Sequence, residues 1–207
     1  MSALAHNRSV VAREGLIWLF LMLVIAVVIY RLGGGYWTML PLGIFVGLFM
    51  LFRDPARDVP PLPLGVLAPV DGRVLSAEET ATGPINGRWQ CVRIRCNPLG
   101  AYTVRAPIEG GVHCLTEAMC SAGIVDGLWL RSEENDDVIL LFPGAIRALR
   151  PRAFVRFGER LGQGQRFAYL RLAPVAEVYL PVTAQLRVSV GQRVAAGVSP
   201  LADLRRS

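Results

Sequence analysis

The chain has 207 residues, 53% of them apolar, a formal charge of +6 and a pI near 9.7. No lysine occurs, and apart from the adjacent Arg205-Arg206 the arginines are scattered singly, with no basic run and no zinc-finger or helix-turn-helix spacing, which excludes the usual nucleic-acid-binding classes. Cys91, Cys96, Cys114 and Cys120 form no CxxC pair, and His113 beside Cys114 has only the distant His6 as a second histidine, so neither a disulfide framework nor a metal site is expected.

Residues 1 to 15 read as a short cytoplasmic leader. Residues 16 to 52 hold two apolar runs, LIWLFLMLVIAVVIY and YWTMLPLGIFVGLFMLF, around RLGGG. As helices they measure roughly 23 to 26 Å, close to the ~30 Å hydrocarbon core, and read as a two-helix membrane hairpin with Arg31 at an interface. No small-residue cleavage site follows the first run, which argues against a signal peptide. A buried helix pair in a soluble protein is the competing reading. Arg8 and Arg13 precede the hairpin, and Arg53 and Arg57 follow it. The positive-inside rule then predicts a two-pass protein of the inner (cytoplasmic) membrane with both ends in the cytoplasm.

Residues 53 to 64 carry Pro55, Pro60, Pro61 and Pro63 and are expected to run extended as a linker along the bilayer. Arg53 is either a snorkelling helix end or a headgroup ligand. From residue 65 to 207 the pattern becomes short β runs separated by Gly, Pro and Asn: VLAPVDGRVLS, CVRIRC, DVILLF, FAYLRL, AEVYLP and LRVSV. The fold class expected is mostly β, one domain with no long amphipathic helix. Asp71-Gly72 is a good hairpin turn, and Gly191 and Gly197 bracket a short strand. These paired units resemble the barrel-sandwich hybrid of lipoyl and biotinyl domains, but the acceptor lysine of such domains is missing.

Five features in order, the apolar hairpin, FRDPAR at 52 to 57, APVDGRV at 68 to 74, NPLGAYTVRAP at 97 to 107 and GQRFAYLRLAPVAEVYLP at 164 to 181, resemble the short, membrane-anchored phosphatidylserine decarboxylases. Glu134-Asn135-Asp136 and VGQRVAAG at 190 to 197 are weaker matches. The resemblance implies phospholipid metabolism and a carboxy-lyase. It also implies a cofactor that the chain makes from itself: a triad of Asp, His and Ser cuts the backbone and leaves the serine as a pyruvoyl group, the electron sink for decarboxylation.

Asp71 matches the aspartate. Tyr102 stands at the histidine, and Ala173-Pro174 at the Gly-Ser pair that is cut. Tyrosine, with a pKa near ~10, is a poor base at neutral pH, and proline has no hydroxyl. No Gly-Ser dipeptide occurs anywhere in the chain. The expectation is therefore a divergent member, a pseudoenzyme without the usual pyruvoyl group, that binds lipid or a partner chain. Arg53 and Arg105 are its candidate substrate-binding residues, and membrane phospholipid, a second copy or an active paralogue its expected partners. An active decarboxylase with an atypical site and a membrane-tethered β adaptor are the alternatives.

Overall fold

The computed structural model describes residues 13–33, 35–81, 83–85, 87–113, 127–144 and 151–204. The chain divides into two compact units, Met1–Ala56 with Leu99–Tyr102, and Arg57–Pro98 with Thr103–Ser207.

The first unit is built on two helices, α1 (Arg13–Gly33) and α2 (Gly35–Leu51). Both runs are rich in Leu, Ile, Val and Phe, and their length rather than a polar face makes them helical, because neither has a solvent side to mark. Leu19, Ala26 and Pro41 are buried, while Ile17, Leu32, Tyr36 and Trp37 are strongly exposed. Residues 15–33 are long and apolar enough to cross a membrane; α2 is apolar but shorter, at 17 residues. Gly15 lies against the Phe52 ring, where a Cβ would collide with it. Phe52 in turn meets the edge of Tyr102, with ring centroids 4.8 Å apart and planes at 68°.

Among the described residues, the strands of the second unit all pair antiparallel. Its main sheet has eight strands, in the order β13 (Arg193–Val194), β2 (Gly72–Thr80), β3 (Trp89–Cys96), β11 (Val175–Pro181), β7 (Asp137–Leu141), β6 (Gly127–Arg131), β5 (Gly110–His113) and β9 (Arg160–Leu161). Two three-stranded sheets accompany it. One has the order β1 (Gly65–Leu67), β14 (Pro200–Asp203), β12 (Gln185–Leu186); the other has β4 (Thr103–Arg105), β10 (Arg166–Tyr169), β8 (Arg152–Ala153).

Alternation decides which face is buried. In β3, Val92, Ile94 and Cys96 point into the main core, while Arg93 and Arg95 are exposed. Strand β11 is buried on both faces, with Ala176, Val178 and Leu180 in the main core and Tyr179 in a smaller cluster with Trp89, Cys91 and Ile139.

The hairpin expected at Asp71-Gly72 does not form. Strand β1 pairs with β14, whereas β2 pairs with β3 and β13. Residues 68 to 71 instead cross between two sheets. Ala68 exchanges backbone hydrogen bonds with Ser199 and Gly197, the Pro69 carbonyl accepts from Arg105, and the Asp71 carbonyl accepts from Asn97. Pro69 has no N–H for a ladder, and Gly72 is required because a Cβ there would overlap the Arg95 carbonyl.

Candidate functional site

The crossing puts Asp71 at the start of β2, and its carboxylate is fully engaged. Arg57 Nη1 and Nη2 donate to Asp71 Oδ1 and Oδ2, each at 2.6 Å. The Ala196 N–H donates to Oδ1 at 2.7 Å, and Arg57 Nη1 also reaches the Ala196 carbonyl at 3.2 Å. A planar guanidinium meeting a carboxylate with two parallel bonds is the strongest and most directional of the common ion-pair geometries. The second arginine of FRDPAR therefore serves the β unit; from the sequence it was legible only as a charge flanking the hairpin.

Ala173-Pro174 comes to the same end of β3. The Pro174 carbonyl accepts from the Cys96 N–H at 2.9 Å, while the Asp71 carbonyl accepts from the next residue, Asn97, at 2.8 Å. Two neighbours of β3 thus begin side by side, β2 after Asp71 and β11 after Pro174. Just upstream, the Ala173 N–H reaches the Leu170 carbonyl at 3.4 Å across a turn in which Arg171 has a φ of 55°. Ala173 is buried and Pro174 exposed.

The remaining predicted residues fall in both units. Tyr102 belongs to the helical unit, buried against Phe52, with its N–H donating to the Arg53 carbonyl at 3.1 Å. The Arg53 side chain is exposed in that same unit. Arg105 is in the β unit and fully buried, its Nη1 donating to the Gly164 carbonyl at 3.3 Å. Its chain lies so close to Gly197 that a Cβ there would come within 2.6 Å of Arg105 Cδ. This is a framework position, out of reach of a bulk ligand.

Glu134-Asn135-Asp136 forms the tight turn of the β6–β7 hairpin. Ser132 Oγ accepts from the N–H groups of Glu134 and Asp136, and Asn135 takes a φ of 65°. Cys91 and Cys96 are buried free thiols; burial pushes Cys91 up and Cys96 up to about 12. Cys114, Cys120 and His6 lie outside the described residues. Among the described residues no group of three or more His, Cys, Asp or Glu could hold a metal ion.

Around Asp71 opens a cleft of about 670 Å³, lined by Arg57, Arg73, Arg95, Asn97 and Arg193 among others. Four guanidiniums face one carboxylate, so the lining carries a net charge of +3. This volume suits a small polar ligand, and the sign suits an anion.

The chain thus combines an antiparallel β unit that carries a basic cleft with a pair of apolar helices that expose their side chains. The chain is 33% identical to phosphatidylserine decarboxylase proenzyme of Burkholderia ambifaria (strain MC40-6) over 215 residues, which cover 97% of this chain and 99% of the relative. It is 34% identical, over the same shares of both chains, to the proteins of that name from Burkholderia cenocepacia (strain J2315) and Burkholderia multivorans (strain ATCC 17616). The chain belongs to the phosphatidylserine decarboxylase family. No family model matches it. Among solved structures, glucose permease IIA from Mycoplasma capricolum is 14% identical, with a TM-score of 0.48, covering 67% of this chain and 94% of that one, a likeness too distant to assign the fold.

Proposed function

We propose that this chain is a membrane-anchored pseudoenzyme of the phosphatidylserine decarboxylase family, a lipid- or partner-binding protein that does not cut itself. The observation that carries the reading is the residue at the cleavage position. Proline at 174 offers no hydroxyl to attack the Ala173 carbonyl, and its own carbonyl is tied to Cys96. A pyruvoyl group is made from the chain's own serine, so the residues present do not fit that cofactor.

The same proposal includes the address. The helices read as a two-pass hairpin with the β domain, 65 to 207, on the cytoplasmic side, joined by the proline-rich segment 53 to 64. The paired short strands around Asp71 and Gly191 to Gly197 suit a barrel-sandwich hybrid. Phospholipid is the ligand class, and an active paralogue or a second copy is the partner class.

Intact-mass spectrometry of the purified full chain tests the reading. One species of 22.6 kDa with an unmodified backbone is expected. Two chains split between Ala173 and Pro174, the second with a carbonyl-reactive end, would overturn it. Pro174→Ser alone is also expected to stay one chain. It restores the hydroxyl but leaves Tyr102 without basic character at neutral pH, and Ala173 is less pliable than glycine.

A further inference from the structure

We infer that the cleft beside Asp71 is a binding site for a phosphate group, built from a row of three arginines contributed by three adjacent strands. Arg193 of β13 lies directly opposite Arg73 of β2, and Arg73 directly opposite Arg95 of β3. Directly opposed residues in an antiparallel sheet share a face, with Cβ atoms about 4.5 to 5.5 Å apart. All three are exposed, and all three line the cleft.

Like charges directly opposed across strands destabilise a sheet, and here two such pairs occur in succession. Elsewhere in the same sheet the pattern is complementary. Arg93 pairs with Glu177 directly opposite it at 2.7 Å, and Arg131 with Asp137 directly opposite it at 2.7 Å. Among the described residues, no carboxylate pairs with Arg73, Arg95 or Arg193. The only acid in the cleft lining is Asp71, whose two oxygens are held by Arg57 and the Ala196 N–H.

A tetrahedral oxyanion supplies what the row lacks. Each guanidinium offers a planar fork of donors, which suits phosphate better than a point charge would. Arg57, fixed by Asp71, also lines the cleft, and Asn97 adds a neutral polar group. The volume of about 670 Å³ leaves room for the substituents of a phosphate monoester or diester. This deepens the lipid-binding reading and rests on it only for the source of the phosphate, a lipid headgroup; the arginine row stands without it.

The test uses the full chain in nanodiscs of neutral phosphatidylcholine, titrated with inorganic phosphate and with glycerophosphoserine. The readouts are calorimetry and thermal shift at constant ionic strength. Binding is expected, with affinity falling about tenfold for each of Arg73→Gln, Arg95→Gln and Arg193→Gln, and unchanged in the charge-matched Arg160→Gln. Without phosphate, the row variants should melt no lower than the parent, because the substitution relieves repulsion. That result separates a lost site from a lost fold. Adding an anionic phospholipid to the discs distinguishes the sources. Weakened binding of soluble phosphate assigns the site to a lipid headgroup, and unchanged binding assigns it to a free phosphate ester. Phosphate binding that is absent, or equal in the row variants and the parent, would overturn the inference. The intact-mass result bears on the pseudoenzyme reading alone, so the two fail independently.

Discussion

At the scale of single residues, Arg57 and Asp71 carry the clearest energetic claim. Their side chains are 18% and 11% exposed, the pair is bidentate, and Asp71 also accepts the Ala196 N–H. Removing the guanidinium leaves a largely buried carboxylate without its bidentate partner. Arg57→Ala is therefore expected to lower the stability of the folded chain by about 1 to 3 kcal/mol. By contrast, Arg88→Ala, which breaks an exposed pair with Glu79, should cost about 0 to 1 kcal/mol. Chemical unfolding of both variants in the same detergent checks the ranking, and equal losses would show that the Arg57 fork is only a surface contact. The sequence marked Asp71 through APVDGRV, but its partner lies 14 residues upstream, beyond four prolines, at a separation no local rule connects.

At the scale of elements, the β6–β7 hairpin sets two neighbouring carboxylates against each other. Burial, with Glu134 and Asp137 nearby, pushes Asp136 above its usual value. Burial would raise Asp137 too, but hydrogen bonds from Arg131 and Trp129 and the Arg131 charge outweigh it and hold that carboxyl below the usual range. The signs are opposite. Ionised Asp136 opposes folding at neutral pH, and protonation relieves that penalty as pH falls from the raised value toward 3.8. Asp137 contributes stability above 3.8 that disappears as pH falls through its lowered value. Asp136→Asn should stabilise the chain by about 0.3 to 0.5 kcal/mol at pH 7, with the gain vanishing below about pH 3.8. Unfolding curves across pH 3 to 8 read this directly. A gain that persists undiminished at pH 3 would assign it to turn propensity instead of charge. Strand identity was legible here, since DVILLF is a short apolar run bounded by Asp136 before it and Pro143-Gly144 after it, and Glu134-Asn135-Asp136 is explained by the turn it makes.

At the scale of the whole molecule, the composition already separates an apolar N-terminal segment from a β-patterned remainder, and the two compact units follow that separation with one exception. Leu99–Tyr102, from the middle of the NPLGAYTVRAP stretch, belongs to the helical unit. The membrane proposal rests on the apolar side chains that α1 and α2 expose. With both helices inserted and the arginine-bearing flanks inside, a cysteine placed at Gly34, in a chain with its native cysteines replaced, should react with an impermeant thiol reagent from outside the cell. One placed at Ser207 should not. Labelling at Ser207 and not at Gly34 would reverse the orientation.

The sequence by itself determined the family, the β character of residues 65 onward, the two apolar helices and the absence of any Gly-Ser dipeptide. Each of these is written in residue type and short-range order: hydrophobic runs, period-two alternation, and motifs read off one position at a time. Only the tertiary structure decided that Asp71 crosses between sheets instead of turning a hairpin, that Arg57 locks it, and that Arg105 is buried framework. The same holds for the row of Arg193, Arg73 and Arg95. Along the chain those arginines are isolated, separated by 120 and 22 positions. Strand register places them opposite one another, because pairing is settled by which faces bury Val74, Ile94 and Val194, and the side chains opposite those residues come along with the register.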